Sequence, residues 1–480
     1  MARKARIEYP GDWKRYKRSF EGGNCFEIGV SSSNFILFWS RSKKILDISG
    51  VVLYNSFMLK VKEIIDIKLF PRGLTKKVLG FIPGRQSIII EGARRVGKTS
   101  LLFLIAQYFS SIGKENIYYF DLEDPDDLDI ISNGPKALKK LYGKGYFLID
   151  EFHLLNKPDK LIKLTVDHYP EIKFICSGSS SITINRKFKD SLIGRIIEIE
   201  MFPLTFKEFL TFTGKHEFLK IIPEFNVVSP SIKEIELIPD FLYKNYETYL
   251  KFGGYPEVVL ARTEEEKIRI LSQMFRIYAK RDLRSLFQLR KEMAFEKFFY
   301  AVAGTAGNLF KLSEIACEIG VSIKTIKEYL SILEGLFLVK VLHPFAFNVR
   351  TEIKKMPKVY FVDTGLLNWA VGNFFPHGLR PGQGNIVENA VFISLLREFS
   401  ETGQIHFYHK RSGGEVDFLV SEKSIIPIEV KWQKKHKVPL SLKNFMRKHN
   451  INTGIIIVRE NSELKRVGNI NFYFVPAIVL

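Results

Sequence analysis

The residues best placed to do chemistry are Gly92-Ala93-Arg94-Arg95-Val96-Gly97-Lys98-Thr99, with Ser100 behind them: the spacing G-x-x-x-x-G-K-T. Glycines let backbone N–H groups curl around phosphate oxygens, a lysine here reaches the β and γ phosphates, and the threonine hydroxyl ligates Mg²⁺. The flanks supply the context that chemistry needs. Residues 88–90 are an apolar β-branched run, and Leu101, Leu102, Leu104 and Ile105 give a helical apolar face behind the loop. Strand, loop and helix N-terminus together turn a positive dipole end toward an anion. Residues 92–100 are therefore expected to hold ATP with Mg²⁺.

A second stretch, Tyr146-Phe147-Leu148-Ile149-Asp150-Glu151, is an apolar run ending in two acids. That pattern fits a buried parallel strand with chemistry at its carboxyl end. Asp150 is expected to hold the Mg²⁺ water shell and Glu151 to polarise the water that attacks the γ-phosphate. The strand at 173–177 ends in Ser177-Gly178-Ser179-Ser180, and either Ser177 or Ser179 can sense the γ-phosphate. Gly194-Arg195 precedes another strand. Arg195 is read as reaching a γ-phosphate in its own chain or across a subunit boundary, or as a surface arginine paired with a loop carboxylate.

A third constellation lies near the C-terminus. Glu388 sits in a helical stretch at 385–398, Asp417 in Gly414-Glu415-Val416-Asp417-Phe418, and Glu429 and Lys431 in Pro427-Ile428-Glu429-Val430-Lys431. Alternation puts Glu429 and Lys431 on one strand face, near Asp417 on an adjacent strand. Two carboxylates can hold a Mg²⁺ that generates hydroxide, with the lysine orienting the water and Glu388 as an outer acid. Lys434, Lys435 and Lys437 offer phosphate contacts. A merely charged hairpin explains Glu415 and Lys423 but leaves acids embedded in apolar strands without a reason.

The elements that must position these residues follow from pattern. Runs at 88–91, 117–121, 147–150, 174–177 and 196–200 alternate with helical stretches, predicting a parallel α/β sheet. Asp121, Glu123, Asp124, Asp126 and Asp127 read as a solvated acidic loop. Residues 206–290 read as helical, interrupted by the rigid corner Phe252-Gly253-Gly254-Tyr255-Pro256-Glu257, with Arg281-Asp282 in a basic helix. Residues 312–319 and 323–333, joined by Gly320-Val321-Ser322, predict a helix-turn-helix with Ser322 as N-cap. Lys324, Thr325, Lys327 and Glu328 face outward, and strands at 337–342 and 358–362 would form a wing that contacts either DNA or protein. Residues 1–57 carry no chemistry and read as an add-on or as sequence upstream of an internal start.

At 480 residues and 55.5 kDa the chain needs several cores. Its formal charge of +20 favours a polyanionic partner, DNA foremost, though a lysine-rich composition also suits a hot-living host. Three scattered cysteines suggest neither disulfides nor zinc and fit a reducing cytoplasm, and no run is long enough to span a membrane.

Together these motifs resemble the prokaryotic, mainly archaeal, AAA-like ATPases that join a P-loop domain, a winged helix and a C-terminal PD-(D/E)XK nuclease-like domain. The resemblance covers about residues 58–480 and is most specific at 92–99, 147–151, Gly194-Arg195, Pro203-Leu204-Thr205-Phe206-Lys207-Glu208 and the Gly253–Pro256 corner. It implies that Pro256 packs on the adenine. It also matches Glu388, Asp417, Glu429 and Lys431 to the nuclease acid, acid, acid-x-lysine order, with Val416 where the family usually has proline. The implied fold class is α/β: a P-loop NTPase parallel sheet with a helical lid, a winged helix and a restriction-endonuclease-like α/β domain. The expected divisions are 1–57, 58–205, 206–292, 293–375 and 376–480. The expected function is an ATPase acting on DNA, with Arg195 open to self-association; the alternative is a nucleotide-controlled switch for a protein partner with an inactive nuclease-like domain.

Overall fold

The structure is a computed structural model and describes residues 14–19, 25–31, 34–39, 45–46, 52–53, 64–179, 192–232, 238–278, 292–345, 356–375, 382–399, 403–410, 414–433 and 437–480. Ser180, Arg281, Asp282, Lys434 and Lys435 lie outside the described residues.

The first 57 residues hold more structure than their sequence announced. Strands β1 (Lys14–Ser19), β2 (Cys25–Ser31) and β3 (Asn34–Trp39) form an antiparallel sheet, and β4 (Ile45–Leu46) pairs with β5 (Val52–Leu53). Among the described residues, none of these strands pairs with a strand from a later part of the chain.

The expected parallel sheet follows helix α1 (Gly73–Phe81). It contains β6 (Ser87–Glu91), β7 (Ile117–Asp121), β8 (Gly145–Asp150), β9 (Ile172–Gly178) and β10 (Ile196–Glu200) in the order β10-β6-β9-β8-β7, every pairing parallel. Helices α2 (Lys98–Ser111), α3 (Pro125–Ser132), α4 (Pro135–Tyr142) and α5 (Pro158–His168) connect the strands. Strands buried on both faces have no use for polar alternation. Ile88 and Ile90 accordingly pack into one apolar cluster and Ile89 into another on the opposite face. The acids after β7 are solvated in part, with Glu123, Asp124 and Asp126 exposed, but they also open a helix. Asp124 caps α3 by accepting from Asp126 N at 3.0 Å, Pro125 fits the first turn, and buried Asp127 accepts from Asp121 N at 2.9 Å.

The helical lid comprises α6 (Phe206–Phe212), α7 (Asp240–Phe252), α8 (Pro256–Leu260) and α9 (Glu264–Ile277). Helix α6 begins with a capping box between Thr205 and Glu208. After α10 (Glu292–Gly304), α11 (Leu312–Ile319) and α12 (Ile323–Gly335) meet at a turn where Ser322 accepts from Thr325 N at 3.1 Å. Ala316, Ile326 and Leu330 are buried between the helices, while Lys324, Lys327 and Glu328 are exposed. Strands β11 (Val339–Leu342) and β12 (Lys358–Phe361) pair antiparallel, and β12 leads into α13 (Thr364–Ala370).

The last part packs α14 (Gln383–Phe399) and α15 (Leu440–Lys448) against a six-stranded mixed sheet. Its strands are β13 (Gln404–His409), β14 (Glu415–Ser421), β15 (Ile425–Val430), β16 (Thr453–Val458), β17 (Glu463–Val467) and β18 (Ile470–Pro476), in the order β13-β14-β15-β16-β18-β17. Among the described residues no helix is long and apolar enough to cross a membrane.

Because, among the described residues, the N-terminal strands pair only among themselves, a chain beginning at Met58 is expected to stay soluble and keep the unfolding midpoint of its core within a few degrees. Thermal denaturation followed by circular dichroism checks this; an insoluble product would make the segment part of the core.

Candidate functional site

The phosphate loop lies where β6 hands over to α2. Gly97 has φ of 99° and caps α2, and Gly92 approaches Met201 so closely that an added Cβ would stand 2.3 Å from its carbonyl oxygen. Both positions thus demand glycine. Lys98 is buried, and its ammonium donates to Gly92 O at 3.0 Å and Ala93 O at 2.9 Å. The neighbouring strand ends converge as expected. Thr99 Oγ1 donates to Asp150 Oδ2 at 2.5 Å, Ser177 donates to Asp150 Oδ1, and Ser179 Oγ donates to Glu151 Oε2 at 3.2 Å. Thr99 and Asp150 thus sit together as a hydroxyl–carboxylate pair of the kind that shares a Mg²⁺ shell. Of the two serines, Ser177 touches Asp150 and Ser179 touches Glu151.

Glu151 has a left-handed backbone, φ 50°, and its Oε2 lies 3.1 Å from His153 Nδ1. Burial pushes its pKa up, but His153, Lys98 and Arg94 outweigh that and hold it down to about 2. The carboxylate is therefore ionised across the neutral range, able to orient a water as an acceptor.

Arg195 does not join this group. Its carbonyl accepts from Ser87 N at 2.9 Å, which puts it beside the first residue of β6 rather than the last. A five-residue strand separates it from the loop by about 15 Å. Its guanidinium is held by Asp167 in two contacts of 2.8 and 3.0 Å. The expectation of a reach to a γ-phosphate within the chain is thus corrected in favour of the carboxylate-paired arginine.

The lid corner does meet the loop. A Cβ at Gly97 would lie 4.0 Å from Pro256 Cγ, Arg95 pairs with Glu257 at 2.6 Å, and Tyr278 donates to Arg94 O at 3.1 Å. Two residues that hold this region gave no signal in the sequence. Buried Arg72 donates to Val96 O at 2.8 Å and Phe202 O at 2.9 Å while pairing with Glu208 at 3.0 Å. Buried Asp363, at the start of α13, accepts from Gly254 N at 2.7 Å and Leu366 N at 3.0 Å. Its pKa is pushed to about 6 by burial, against the pull of those N–H groups. Each acts across a long gap in sequence, so no local pattern announces it.

In the C-terminal sheet Phe418 pairs with Ile428, and Asp417 accordingly stands opposite Glu429 on one face. Asp417 Oδ2 accepts from Val430 N at 2.7 Å, and Lys431 Nζ meets Glu429 Oε1 at 2.8 Å. Burial raises the pKa of both acids, and Glu388 and Glu429 add to the rise at Asp417. Glu429 Oε2 is buried without a hydrogen-bond partner. Glu388 is otherwise engaged: its Oε1 accepts from Tyr360 OH at 2.7 Å and Lys358 Nζ at 3.2 Å. Among the described residues no three acidic, histidine or cysteine side chains are arranged to hold a metal ion. Glu388 stands beside the pair, with one oxygen on Lys358 and Tyr360 and its charge felt by Asp417. Asp417 and Glu429 remain as a two-acid pair.

Residues 84–210 match a family model described as an AAA domain. That matched stretch holds the parallel sheet, the loop and the strand-end acids just described. Residues 243–376 and 383–478 match two further models, each described as a domain of unknown function (DUF8612 and DUF4143). An uncharacterized protein of Methanocaldococcus jannaschii is 27% identical over 395 residues, covering 79% of each chain. One of Haemophilus influenzae is 29% identical over 349 residues, 69% of this chain and 78% of that one. AMPPCP-bound DnaA from Aquifex aeolicus superposes with a TM-score of 0.26 at 15% identity, covering 55% of this chain and 89% of DnaA.

Glu91, the last residue of β6, is half-buried opposite Glu200, and its pKa is raised to about 8 by desolvation with help from Glu198 and Glu200. A carboxyl group whose folded pKa is raised stabilises the fold below its unfolded value and loses that stabilisation as pH climbs through the folded one. Between pH 5 and pH 8.5 the wild-type melting temperature should therefore fall. In Glu91→Gln the fall should be visibly smaller; parallel curves for the two proteins would contradict the assignment.

Proposed function

We propose that this chain binds and hydrolyses ATP at residues 92–100 and couples that cycle to DNA held by its C-terminal half. The observation that carries the reading is the convergence of Thr99, Asp150 and Ser177 beside Lys98, with Glu151 next in the chain. Lys98 resting on two carbonyl oxygens is poised to exchange them for phosphate oxygens, which make stronger charge-assisted bonds. Thr99 and Asp150 would hold Mg²⁺, which neutralises charge on the β and γ phosphates. Glu151, steadied by Ser179 and His153, orients the attacking water. Pro256 closes over the loop as the adenine contact, and Asp363 fixes the corner that carries it. Arg195, at the opposite end of the strands and held by Asp167, takes no part in the cycle within its own chain.

DNA is the partner best suited to a chain of charge +20 with exposed Lys324 and Lys327 on the second helix of a helix-turn-helix. The hairpin of β11 and β12 is then the wing, and the mixed sheet is a nuclease-like fold with Asp417, Glu429 and Lys431 as its phosphodiester site. A second reading has one observation in its favour. Glu388 is neutralised by Lys358, which suits a C-terminal fold that binds without cutting and leaves the chain as a nucleotide-controlled switch.

Lys98→Ala is expected to abolish ATP turnover, and Glu151→Gln to keep ATP binding while slowing hydrolysis by about 10²-fold or more. Steady-state phosphate release with nucleotide-binding titrations checks both, and undiminished hydrolysis in Lys98→Ala would sink the loop reading. Duplex DNA affinity should fall steeply with salt. Salt-independent affinity would favour the switch reading instead.

A further inference from the structure

The acid cluster contains a cation that belongs to the chain itself. Lys358 enters from β12, outside the sheet that bears Asp417 and Glu429. Its side chain is 3% exposed, its Nζ is 2.6 Å from Glu415 Oε1 and 3.2 Å from Glu388 Oε1, and it lies 5.4 Å from the centre of the Phe407 ring. Tyr360, two residues on and so on the same strand face, donates to that same Glu388 oxygen at 2.7 Å. Gly307 and the Phe392 ring pack against Tyr360, so the strand is not free to slide away.

Four carboxylates (Glu388, Glu415, Asp417, Glu429) thus face two ammonium groups (Lys358, Lys431). That excess of carboxylates over ammonium groups is what a divalent ion offsets, and His409 Nδ1 stands 3.9 Å from Glu415 at the edge of the cluster. An independent feature points to where that ion goes. Glu429 is 4% exposed, Lys431 takes only its Oε1, and its Oε2 has no partner although it is buried. A buried carboxylate oxygen without donor or cation is costly. Asp417 stands across the strand pair from it.

We propose that Lys358 is a positioning residue that withholds Glu388 and Glu415 from the metal, limiting the C-terminal site to one divalent ion on two carboxylates, Asp417 and Glu429. The proposal rests on reading that cluster as a divalent-cation site. Two protein carboxylates are what Mg²⁺ uses where substrate phosphates complete its shell. The ion is then held weakly until a phosphodiester arrives, and Lys358 supplies charge balance without occupying the reacting face. A third carboxylate would fix the ion whether or not substrate were present.

The test is Mn²⁺ binding to the full chain without nucleotide, read as free Mn²⁺ by electron paramagnetic resonance. Wild type is expected to bind one ion, lost in Glu429→Gln. Lys358→Gln frees Glu388 and should tighten that ion at least tenfold, while Lys358→Arg keeps the charge and the wild-type affinity. Glu388→Gln, which removes no ligand, should leave Mn²⁺ affinity within about twofold. Unchanged or weaker binding in Lys358→Gln would overturn the proposal, as would a tenfold loss in Glu388→Gln, which would make Glu388 a ligand and remains decisive if Lys358→Gln does not fold. No Mn²⁺ in wild type or any variant would overturn the acid-site reading beneath it.

Discussion

Two buried charges on one short stretch, Lys358 and Asp363, constrain how three parts of the chain meet. Neither can reach water, so each must find its partners inside. Lys358 finds Glu388 and Glu415 in the C-terminal part; Asp363 finds Gly254 N in the lid and Leu366 N at the start of its own helix. Between them the Asn389 amide accepts from Phe361 N at 2.9 Å and donates to Phe361 O at 2.8 Å, as a neighbouring strand would. The Gly253 position shows how tight the joint is, since a Cβ there would stand 2.1 Å from Asp363 Oδ1. Strand β12 therefore ties the corner beside the phosphate loop to the acid cluster.

The phosphate-loop site uses the ends of strands, where a polar side chain can leave the core, whereas Asp417 lies within β14 between buried Val416 and Phe418. In the parallel sheet, Asp150 ends β8 and Ser177 lies near the end of β9, and parallel pairing aligns them with the loop after β6. In the C-terminal sheet, antiparallel pairing sets Asp417 opposite Glu429. In each case an acid is buried beside a lysine, and the lysine's present partners tell what it is prepared to exchange. Lys98 rests on neutral carbonyls, which phosphate readily displaces, whereas Lys358 rests on carboxylates, which it does not surrender easily.

Much of this was legible because phosphate chemistry narrows residue choice. The loop 92–99, the acids at 150 and 151 and the five parallel strands follow from spacing and apolar runs. Ser322 was readable as a cap because its hydroxyl serves its own helix. What the sequence hid acts at a distance. Arg72 reaches Glu208, and Asp363 reaches Gly254, through contacts that exist only once the sheet and lid have formed. Arg195 misled for a related reason: Gly194-Arg195 marks the start of a strand, and only the strand's direction tells which end of the sheet that is. Among the acids at 121–127, charge rightly marked Glu123, Asp124 and Asp126 as exposed, but it hid the backbone N–H groups that Asp124 and Asp127 satisfy.

The central claim is that the loop after β6 is a phosphate cradle whose lysine trades carbonyl partners for nucleotide. A structure of the full chain with Mg²⁺ and a non-hydrolysable ATP analogue tests it most directly. The account predicts that Lys98 Nζ leaves Gly92 O and Ala93 O for the β and γ phosphates, and that the ion separates Thr99 from Asp150. Nucleotide bound elsewhere, with Lys98 still on its two carbonyls, would contradict it.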